Sequence, residues 1–268
     1  MTLLDLNCNE AKNASSSLVF SRAELSSALR HEQIVAHFQP IIELESAAVV
    51  GAEALVRWEH PFYGLLLPKD FIDYFKRFDL ASSLTALMLE RSLMVLQQIP
   101  DIYISINVSP DELLCDDFVD YLCDIVEETP MLTERLRFEV TEQALSSECC
   151  CVLASQIAKL KNKGLSLSID DFGTGFSSLK RLLTQPFNEL KIDMFFVKNM
   201  SDARCKEVIG YISNLASSLQ MTTVAEGVET KEEAEKLSSL GIHKAQGYFY
   251  SPSLCSESLK SFMLHGES

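Results

Sequence analysis

Residues 34–58 read IVAHFQPIIELESAAVVGAEALVRW, and this stretch decides the fold. It contains two apolar, strand-like runs, Ile34–Leu44 and Ala47–Trp58, separated only by Glu45 and Ser46. Two residues are too few for a crossover helix, so the two strands must form an antiparallel hairpin. Any sheet built on this pair therefore contains at least one strand that runs against its neighbour.

Six further strand-like runs follow, and segments with helical periodicity fill the intervals between them. The runs are Ile102–Val108, Leu136–Thr141, Leu165–Ile169, Glu189–Ile192, Thr222–Ala225 and Lys244–Phe249. Strands that alternate with helices indicate parallel strands joined by right-handed crossovers. We therefore predict an α/β fold, a TIM-like (β/α)8 barrel with one antiparallel strand near its N-terminus. The alternative is an open, doubly wound sheet, but no Gly-x-Gly-x-x-Gly turn supports it.

Two of the intervening helices carry sequence signals for their first turns. Ser109-Pro110-Asp111-Glu112 combines an N-cap serine, a proline at the first helical position and a glutamate three residues after the cap. Thr230-Lys231-Glu232-Glu233 is a second capping box, and Gly241 is placed to end the helix that it begins. These signals predict helices directly after the third and seventh strands.

The composition is that of a globular protein with an acidic surface. Of the 268 residues, 47% are hydrophobic and 23% are charged, and the net charge is −15. Such a chain lacks the basic face that binding to nucleic acid requires. No run approaches the ~20 apolar residues of a membrane span. We predict a soluble protein that binds no nucleic acid and has no membrane segment.

The N-terminus and the cysteines bear on location and domain limits. Residues 1–17 lack the basic start and apolar core of a secretory signal. None of the eight cysteines forms a Cys-x-x-Cys pair, which argues against zinc, and scattered thiols fit the reducing cytoplasm. Residues 1–18 are polar and aperiodic, so we predict a flexible tail or linker there and one domain over residues 19–268.

Polar side chains collect at the ends of the predicted strands. They are Gln39, Glu53, Asn107, Glu139, Glu142, Asp170, Asp171, Lys191, Glu226, Glu229 and Gln246. Any one of them alone would be an ordinary cap, turn or solvent-facing residue. Their recurrence on consecutive strands predicts a site, because strand ends of a barrel meet at one rim and build the active site there. His37 and His243, which flank the first and last strands, are interpreted as structural.

Five or six carboxylates at one rim predict bound cations. They cannot all stay ionised without counter-charge, so either their pKa values rise or cations bind. Oxygen ligands favour Mg²⁺ or Mn²⁺, and Ca²⁺ fits less well. The adjacent Asp170 and Asp171 suit two ions that clamp a phosphodiester, and Lys191 would add charge beside the phosphate or orient the water. Phosphodiester hydrolysis is favoured, while metal-assisted carbon chemistry of the enolase type stays open.

At Glu53-Ala54-Leu55-Val56-Arg57-Trp58 the sequence resembles the EAL family of cyclic di-GMP phosphodiesterases. The resemblance covers about residues 20–262 and includes seven further motifs in order. They are Phe38-Gln39-Pro40, Asn107-Val108-Ser109, Glu139-Val140-Thr141-Glu142, Asp170-Asp171-Phe172-Gly173-Thr174-Gly175, Leu190-Lys191-Ile192-Asp193, Glu226-Gly227-Val228-Glu229 and Gln246-Gly247-Tyr248. The resemblance implies a barrel with one antiparallel strand and hydrolysis of cyclic di-GMP to linear pGpG.

The resemblance also implies roles for individual residues. The first metal would be held by Glu53, Asn107, Glu139 and Asp170, and the second by Asp170 and Asp171. Glu226 would complete the second-metal side or act as general base, and Lys191 would contact the water or the phosphate, so that Lys191, Glu226 and Glu53 form the catalytic set. The ligand contacts would be Gln39, Leu55, Arg57 and Gln246. Two Mg²⁺ or Mn²⁺ ions are expected, with Ca²⁺ inhibitory.

The loop Asp171–Leu179 resembles the family segment that links the metal site to a dimer interface. The residues implied in this coupling are Glu142, Gly173, Thr174, Gly175 and Glu229. A homodimer is expected on this basis, and a regulatory domain or partner protein is an open possibility. Phe176 and Met194 depart from the tyrosine and arginine frequent in the family, which leaves the metal ligands intact. The alternatives are a sensor that binds cyclic di-GMP without cutting it and a protein-interaction module.

Overall fold

The computed structural model describes residues 18–142, 150–173 and 179–265. Within these ranges nine strands form one sheet. They are β1 (Ile34–Glu43), β2 (Val49–His60), β3 (Gly64–Leu66), β4 (Tyr103–Asn107), β5 (Leu136–Thr141), β6 (Ser166–Phe172), β7 (Glu189–Ile192), β8 (Thr222–Ala225) and β9 (Lys244–Ala245). Of the predicted tail or linker, only Leu18 is described, and its carbonyl oxygen accepts a hydrogen bond from the Tyr74 hydroxyl at 2.6 Å.

Eight of these strands close into a barrel, which confirms the predicted α/β architecture. The ring runs β1-β9-β8-β7-β6-β5-β4-β2 and closes through the β1–β2 pairing. β1 is antiparallel to both of its neighbours, and the remaining pairs in the ring are parallel. The C-terminal ends of β2 and β4–β9 therefore gather at one end of the barrel, here called the mouth, together with the N-terminal half of β1.

Two predicted strand limits that bear on the site are wrong in detail, and one short strand was not predicted. β9 ends at Ala245, so Gln246 follows the strand instead of lying in it. β6 continues to Phe172 and thus contains Asp170 and Asp171. The short strand β3 pairs with the end of β2 outside the ring, and its three residues gave no recognisable strand signal.

Helices surround the barrel. They are α1 (Arg22–Arg30), α2 (Pro68–Arg77), α3 (Ala81–Gln98), α4 (Pro110–Leu113), α5 (Asp116–Glu128), α6 (Pro130–Thr133), α7 (Cys150–Asn162), α8 (Leu179–Thr184), α9 (Met194–Lys198), α10 (Ala203–Ser218), α11 (Lys231–Ser239) and α12 (Ser256–His265). Both predicted capping boxes are present, at Ser109 before α4 and Thr230 before α11. Among the described helices, none combines the length and apolarity needed to cross a bilayer.

The apolar core lies between the strands and the helices. Ile104 and Ile106 of β4 and Leu167 and Ile169 of β6 are fully or almost fully buried in it. A smaller aromatic cluster, including Phe20, lies beneath α1 and α2. Because successive side chains of a strand point to opposite faces, the intervening residues face the barrel interior.

The barrel interior is polar and has two layers. The mouth layer contains Lys191 and the carboxylates around it, including Glu53, Glu139, Asp170 and Glu226. The floor layer lies two residues earlier on several of the same strands. Its members are Tyr103, Ser105, Arg137, Ser168, Glu189, Thr222 and Lys244. Glu189, which is fully buried, contacts Arg137 and Lys244 there.

Candidate active site

Lys191 on β7 is the centre of the mouth layer. Its Nζ atom lies 3.1 Å from Glu53 Oε2 and 2.7 Å from Glu139 Oε2. It also lies 3.1 Å from Asp170 Oδ1 and 2.6 Å from Glu226 Oε1. These four carboxylates come from four different strands or strand ends, and the lysine side chain is only 1% exposed. The barrel thus converges residues that are up to 173 positions apart in the chain onto one ammonium group.

Two amides fix the orientation of Glu53 at the end of β2. Asn107 Nδ2 donates to Glu53 Oε1 at 2.9 Å, and Gln246 Nε2 donates to Glu53 Oε2 at 2.7 Å. Gln246 Nε2 also donates to Glu226 Oε1 at 3.2 Å. Burial acts to raise the pKa of Glu53, but Lys191 and these two amides outweigh burial and lower it. Glu53 is therefore held as a carboxylate with a fixed geometry.

A bulge in β6 presents two consecutive carboxylates to the mouth. The register with β7 shifts between Ile169 and Phe172, and Asp171 has a positive φ of 55°. An extra residue in a strand can re-aim a side chain that alternation would send to the other face. One carboxylate oxygen each of Asp170, Asp171 and Glu226 lies within 4.8 Å of the others. The bulge explains how adjacent residues reach a common point.

The charges in this layer are unevenly balanced. Burial raises the pKa of Glu226 to about 8, with Lys191 opposing the rise and the neighbouring carboxylates adding to it. Burial, and then the charge of Glu53, raise the pKa of Glu139 well above its usual range. Burial and the adjacent Asp170 raise the pKa of Asp171 to about 6. One lysine does not neutralise this set, so the layer favours protons or added cations.

Several buried oxygen atoms of this layer fit a bound cation. Glu139 Oε1, Asp170 Oδ1 and Gln246 Oε1 accept no hydrogen bond from the described residues. Asp170 Oδ1 lies 3.1 Å from Lys191 Nζ, so that contact is an ion pair without hydrogen-bond geometry. Buried oxygens without donors are costly unless something outside the chain satisfies them. Hard divalent cations prefer carboxylate and amide oxygens, and the residues present therefore fit Mg²⁺ or Mn²⁺.

The comparison with known families agrees with this geometry. The sequence model of the EAL domain matches residues 22–253. The chain belongs to the EAL domain family. The resemblance seen in the sequence motifs is thereby confirmed over most of the described residues.

Relatives of this EAL domain include named cyclic di-GMP phosphodiesterases. RocR, a cyclic di-GMP phosphodiesterase of Pseudomonas aeruginosa, is 32% identical over 235 residues, which are 86% of this chain and 60% of RocR. The oxygen sensor protein DosP of Escherichia coli is 33% identical over 251 residues, which are 90% of this chain and 31% of DosP. The chain spans between 28% and 60% of the length of the curated relatives that it matches.

Solved EAL structures share the fold of this EAL domain. The PaMucR phosphodiesterase in complex with c-di-GMP superposes with a TM-score of 0.83 at 31% identity, covering 88% of this chain and 98% of that one. The EAL enzyme Bd1971 in its cAMP and cyclic-di-GMP bound form gives a TM-score of 0.84 at 30% identity, covering 90% of this chain and 67% of that one.

A cleft of about 300 Å³ opens at the mouth of the EAL domain. Of the predicted ligand contacts, Gln39, Leu55 and Gln246 line this cleft, together with Glu53, Asp170 and Glu226. Arg57 is not among its lining residues. Gln39 Nε2 donates to the Ser251 carbonyl oxygen at 3.2 Å, which fixes that amide at the edge of the cleft.

Part of the cleft wall was given no role from the sequence, although Gly227, Gly247 and Tyr248 belong to the quoted motifs and Met194 was noted as a departure from the family. It consists of Met194, Lys198, Gly227, Gly247 and Tyr248. A Cβ atom on Gly227, whose φ is 68°, would lie 2.6 Å from Met194 Cβ, so this wall is closely packed. Lys198 lies at the end of α9. This helix has only five residues, too few to show a periodic pattern that would predict which side chains face the cleft.

The residues predicted to couple the loop and a dimer interface are only partly described. Glu142 is buried, and its Oε2 atom accepts a hydrogen bond from the Gly173 backbone N–H at 2.9 Å. Thr174, Gly175 and Phe176 lie outside the described residues. Glu229 lines the cleft and pairs with Lys198 at 2.9 Å between Oε1 and Nζ. Glu229 therefore belongs to the cleft wall. It takes no part in the hydrogen bond between Glu142 and Gly173.

Proposed function

We propose that this EAL domain is a metal-dependent phosphodiesterase that hydrolyses one phosphodiester of cyclic di-GMP and releases linear pGpG. One observation carries the proposal: Asp170, Asp171 and Glu226 present oxygens within 4.8 Å of one another, beside a lysine that four carboxylates surround. The named relatives and the solved complexes with cyclic di-GMP support the choice of ligand.

Each residue of the mouth layer has a distinct task in this proposal. Glu53, Asn107, Glu139 and Asp170 would hold one divalent cation, and Asp170 with Asp171 a second. When bound there, the cations would supply charge stabilisation at the phosphoryl oxygens and would favour ionisation of the attacking water. The Lys191 ammonium is fixed by its carboxylate contacts, so it can stabilise charge on the phosphate without reorganisation.

Glu226 is a carboxylate of this site that can exchange a proton near neutral pH. The raised pKa of Glu226, about 8, lets its carboxyl group exchange a proton near neutral pH before cations bind. Added positive charge lowers such a pKa, so Glu226 would then be a carboxylate that completes the second-metal side or accepts a proton from water. Gln246 Nε2, 3.2 Å from Glu226 Oε1, limits the rotation of that carboxylate.

A product assay tests the proposal directly. The protein is incubated with cyclic di-GMP and Mg²⁺ or Mn²⁺, and the nucleotides are separated by chromatography. We expect pGpG to accumulate with the wild type and not with Glu53→Ala, and Ca²⁺ to suppress turnover. Binding of cyclic di-GMP without product would instead support the sensor that the sequence left as an alternative.

The coupling loop supports the further proposal of a homodimer. The hydrogen bond from Gly173 to Glu142 ties the residue after β6 to the end of β5, next to Asp170 and Asp171. A dimer contact beyond Gly173 would act on the metal ligands through this tie. Light scattering during gel filtration measures the mass, and a monomer at all concentrations at which turnover is observed would contradict this part.

A further inference from the structure

The rim beside the cleft contains an arginine and a histidine that the mouth layer does not use. Arg57 is opposite Val35 in the β1–β2 ladder, and His37 is opposite Leu55. Residues directly opposite in an antiparallel pair share a face, so Arg57 and His37 are diagonal neighbours on the face that Glu53 and Gln39 also occupy. Burial and the charge of Arg57 lower the pKa of His37.

The segment that follows the cleft wall is fixed against this rim. The backbone N–H of Phe38 donates to the Leu254 carbonyl at 2.7 Å, and the N–H of Leu254 donates back to Phe38 at 2.9 Å. This bridge holds Ser251–Leu254 along the part of β1 that β9 does not reach. Ser253 is therefore placed by backbone pairing and not by a flexible loop.

The Ser253 hydroxyl is bound to the Arg57 guanidinium. Arg57 Nη2 donates to Ser253 Oγ at 2.8 Å, and Arg57 Nη1 donates to the Val56 carbonyl at 2.7 Å. A guanidinium has five N–H donors, and these two bonds use two of them. A hydroxyl that accepts from a cation is polarised and becomes a stronger donor through its own hydrogen. Arg57 and Ser253 thus present N–H and O–H donors side by side.

A phosphodiester anion is the ligand chemistry that these donors fit. The Arg57 guanidinium and the Ser253 hydroxyl match the two non-bridging oxygens of a phosphodiester, which share one negative charge and can accept parallel hydrogen bonds. In a cyclic dinucleotide the two phosphodiesters lie on opposite sides of the ring. When one is at the mouth layer, the other is therefore held away from the cations.

We propose that Ser253 is a ligand-binding residue that, with Arg57, holds the phosphodiester of cyclic di-GMP that is not hydrolysed. This inference rests on the proposed function. The Ser253 hydroxyl accepts a hydrogen bond from the Arg57 guanidinium and donates its own hydrogen to a phosphate oxygen. These two bonds fix the orientation of the guanidinium and the position of the ligand.

The test compares Ser253→Ala with Ser253→Thr, which keeps the hydroxyl, and with Ser218→Ala, which removes an exposed helix hydroxyl remote from the cleft. Two substrates are used: cyclic di-GMP, which has two phosphodiesters, and bis(p-nitrophenyl) phosphate, which has one. For Ser253→Ala we expect KM for cyclic di-GMP to rise about tenfold, as for the loss of one hydrogen bond to a charged group, with kcat little affected. Ser253→Thr restores KM, and the loss is confined to the substrate with two phosphodiesters.

Three results would overturn the inference while leaving the proposed function intact. The first is an unchanged KM for cyclic di-GMP in Ser253→Ala. The second is a lower KM in this variant, which would mean that the serine keeps Arg57 from binding the ligand. The third is an equal loss of activity on both substrates, which would mean that the serine has a structural role. A wild-type protein that neither binds nor hydrolyses cyclic di-GMP overturns the proposed function, and this inference with it. Calorimetric titration of cyclic di-GMP into the wild type separates that case from the other three.

Discussion

The mouth and the floor of the barrel interior are built on the same strands and reach opposite charge balances. β7 contributes Lys191 to the mouth and Glu189 to the floor, and β5 contributes Glu139 to the mouth and Arg137 to the floor. At the mouth, Lys191 is in contact with four carboxylates. At the floor, one carboxylate is in contact with two cations, and the Lys244 Nζ–Glu189 Oε2 distance is 2.8 Å.

The pKa shifts follow this difference. Burial acts to raise the pKa of Glu139 at the mouth and of Glu189 at the floor. Arg137 and Lys244 nevertheless hold the pKa of Glu189 below its usual value, whereas the pKa of Glu139 stays raised. Tyr103 adds to the floor, because its ring lies 3.9 Å from Arg137 Cζ and 4.6 Å from Lys244 Nζ. The floor supplies its own counter-charges, while the mouth needs charge from outside the chain. The layer that neutralises its own charges and the layer with excess carboxylates are thereby separated by two residues along a strand.

The largest expected effect is on turnover, from Lys191→Met at the mouth. Removing the ammonium leaves four carboxylates without their common partner, so we expect kcat to fall by at least about 10²-fold. The melting temperature should also fall without divalent cations and recover when Mg²⁺ is added. Kinetics and thermal melts with and without Mg²⁺ measure both effects. Near-normal turnover in this variant would remove Lys191 from the mechanism.

At the floor, Glu189→Gln should reduce stability instead of turnover. The substitution keeps the shape but leaves Arg137 and Lys244 without their buried counter-charge, which costs about 3–5 kcal/mol of unfolding free energy. Urea unfolding gives this value, with Glu235→Gln on the exposed face of α11 as the matched control. Activity per folded molecule should persist, and a loss of kcat like that of Lys191→Met would show that the two layers are not separate.

Cation removal should destabilise the mouth alone. A ligand at a hundred times its Kd stabilises the folded state by about 2.7 kcal/mol, so EDTA should lower the unfolding free energy by an amount of this order. The same loss is expected in Glu189→Gln, because its mouth layer is unchanged, and a smaller loss in Asp171→Asn, which keeps the residues proposed for the first cation. Melts of the three proteins over a Mg²⁺ titration measure this, and an equal response in Asp171→Asn would argue against the second cation site.

The smallest effect is a pH dependence of the floor. The folded-state pKa of Glu189 is lowered from 4.5, so its contribution is fully present above pH 4.5 and is lost as pH falls through the folded value. The difference in unfolding free energy between the wild type and Glu189→Gln should therefore shrink below pH 4.5. Urea titrations between pH 3 and 7 give this difference, and a difference that did not vary with pH would contradict the charge argument.

Sequence reasoning reached the barrel and the mouth because both depend on local patterns. The two-residue gap between the first two strands required the hairpin, and polar residues at strand ends indicated where carboxylates would meet. The floor was missed because Arg137 and Glu189 lie near the starts of apolar runs, where a charged residue is usually a boundary. The bulge that turns Asp171 inward depends on a backbone φ of 55°, which residue type does not reveal.

Contacts between distant segments were also out of reach. The bond from Arg57 to Ser253 joins residues 196 positions apart, and the pair of Lys198 and Glu229 joins two different crossovers. Neither follows from periodicity or spacing, since both depend on how the ring closes. The sequence predicted that the strands form a barrel, but not which side chains the closed ring brings into contact.

The reversed direction of β1 determines the end of the barrel at which the chain enters. Phe20, ahead of α1, stacks on Trp58 with ring centroids 4.6 Å apart and lies 5.8 Å from the His60 ring, both near the mouth end of β2. A polypeptide entering a barrel of eight parallel strands would arrive at the opposite end. Here the chain at Leu18 and Phe20 lies at the mouth end instead, which is the end at which the cleft opens.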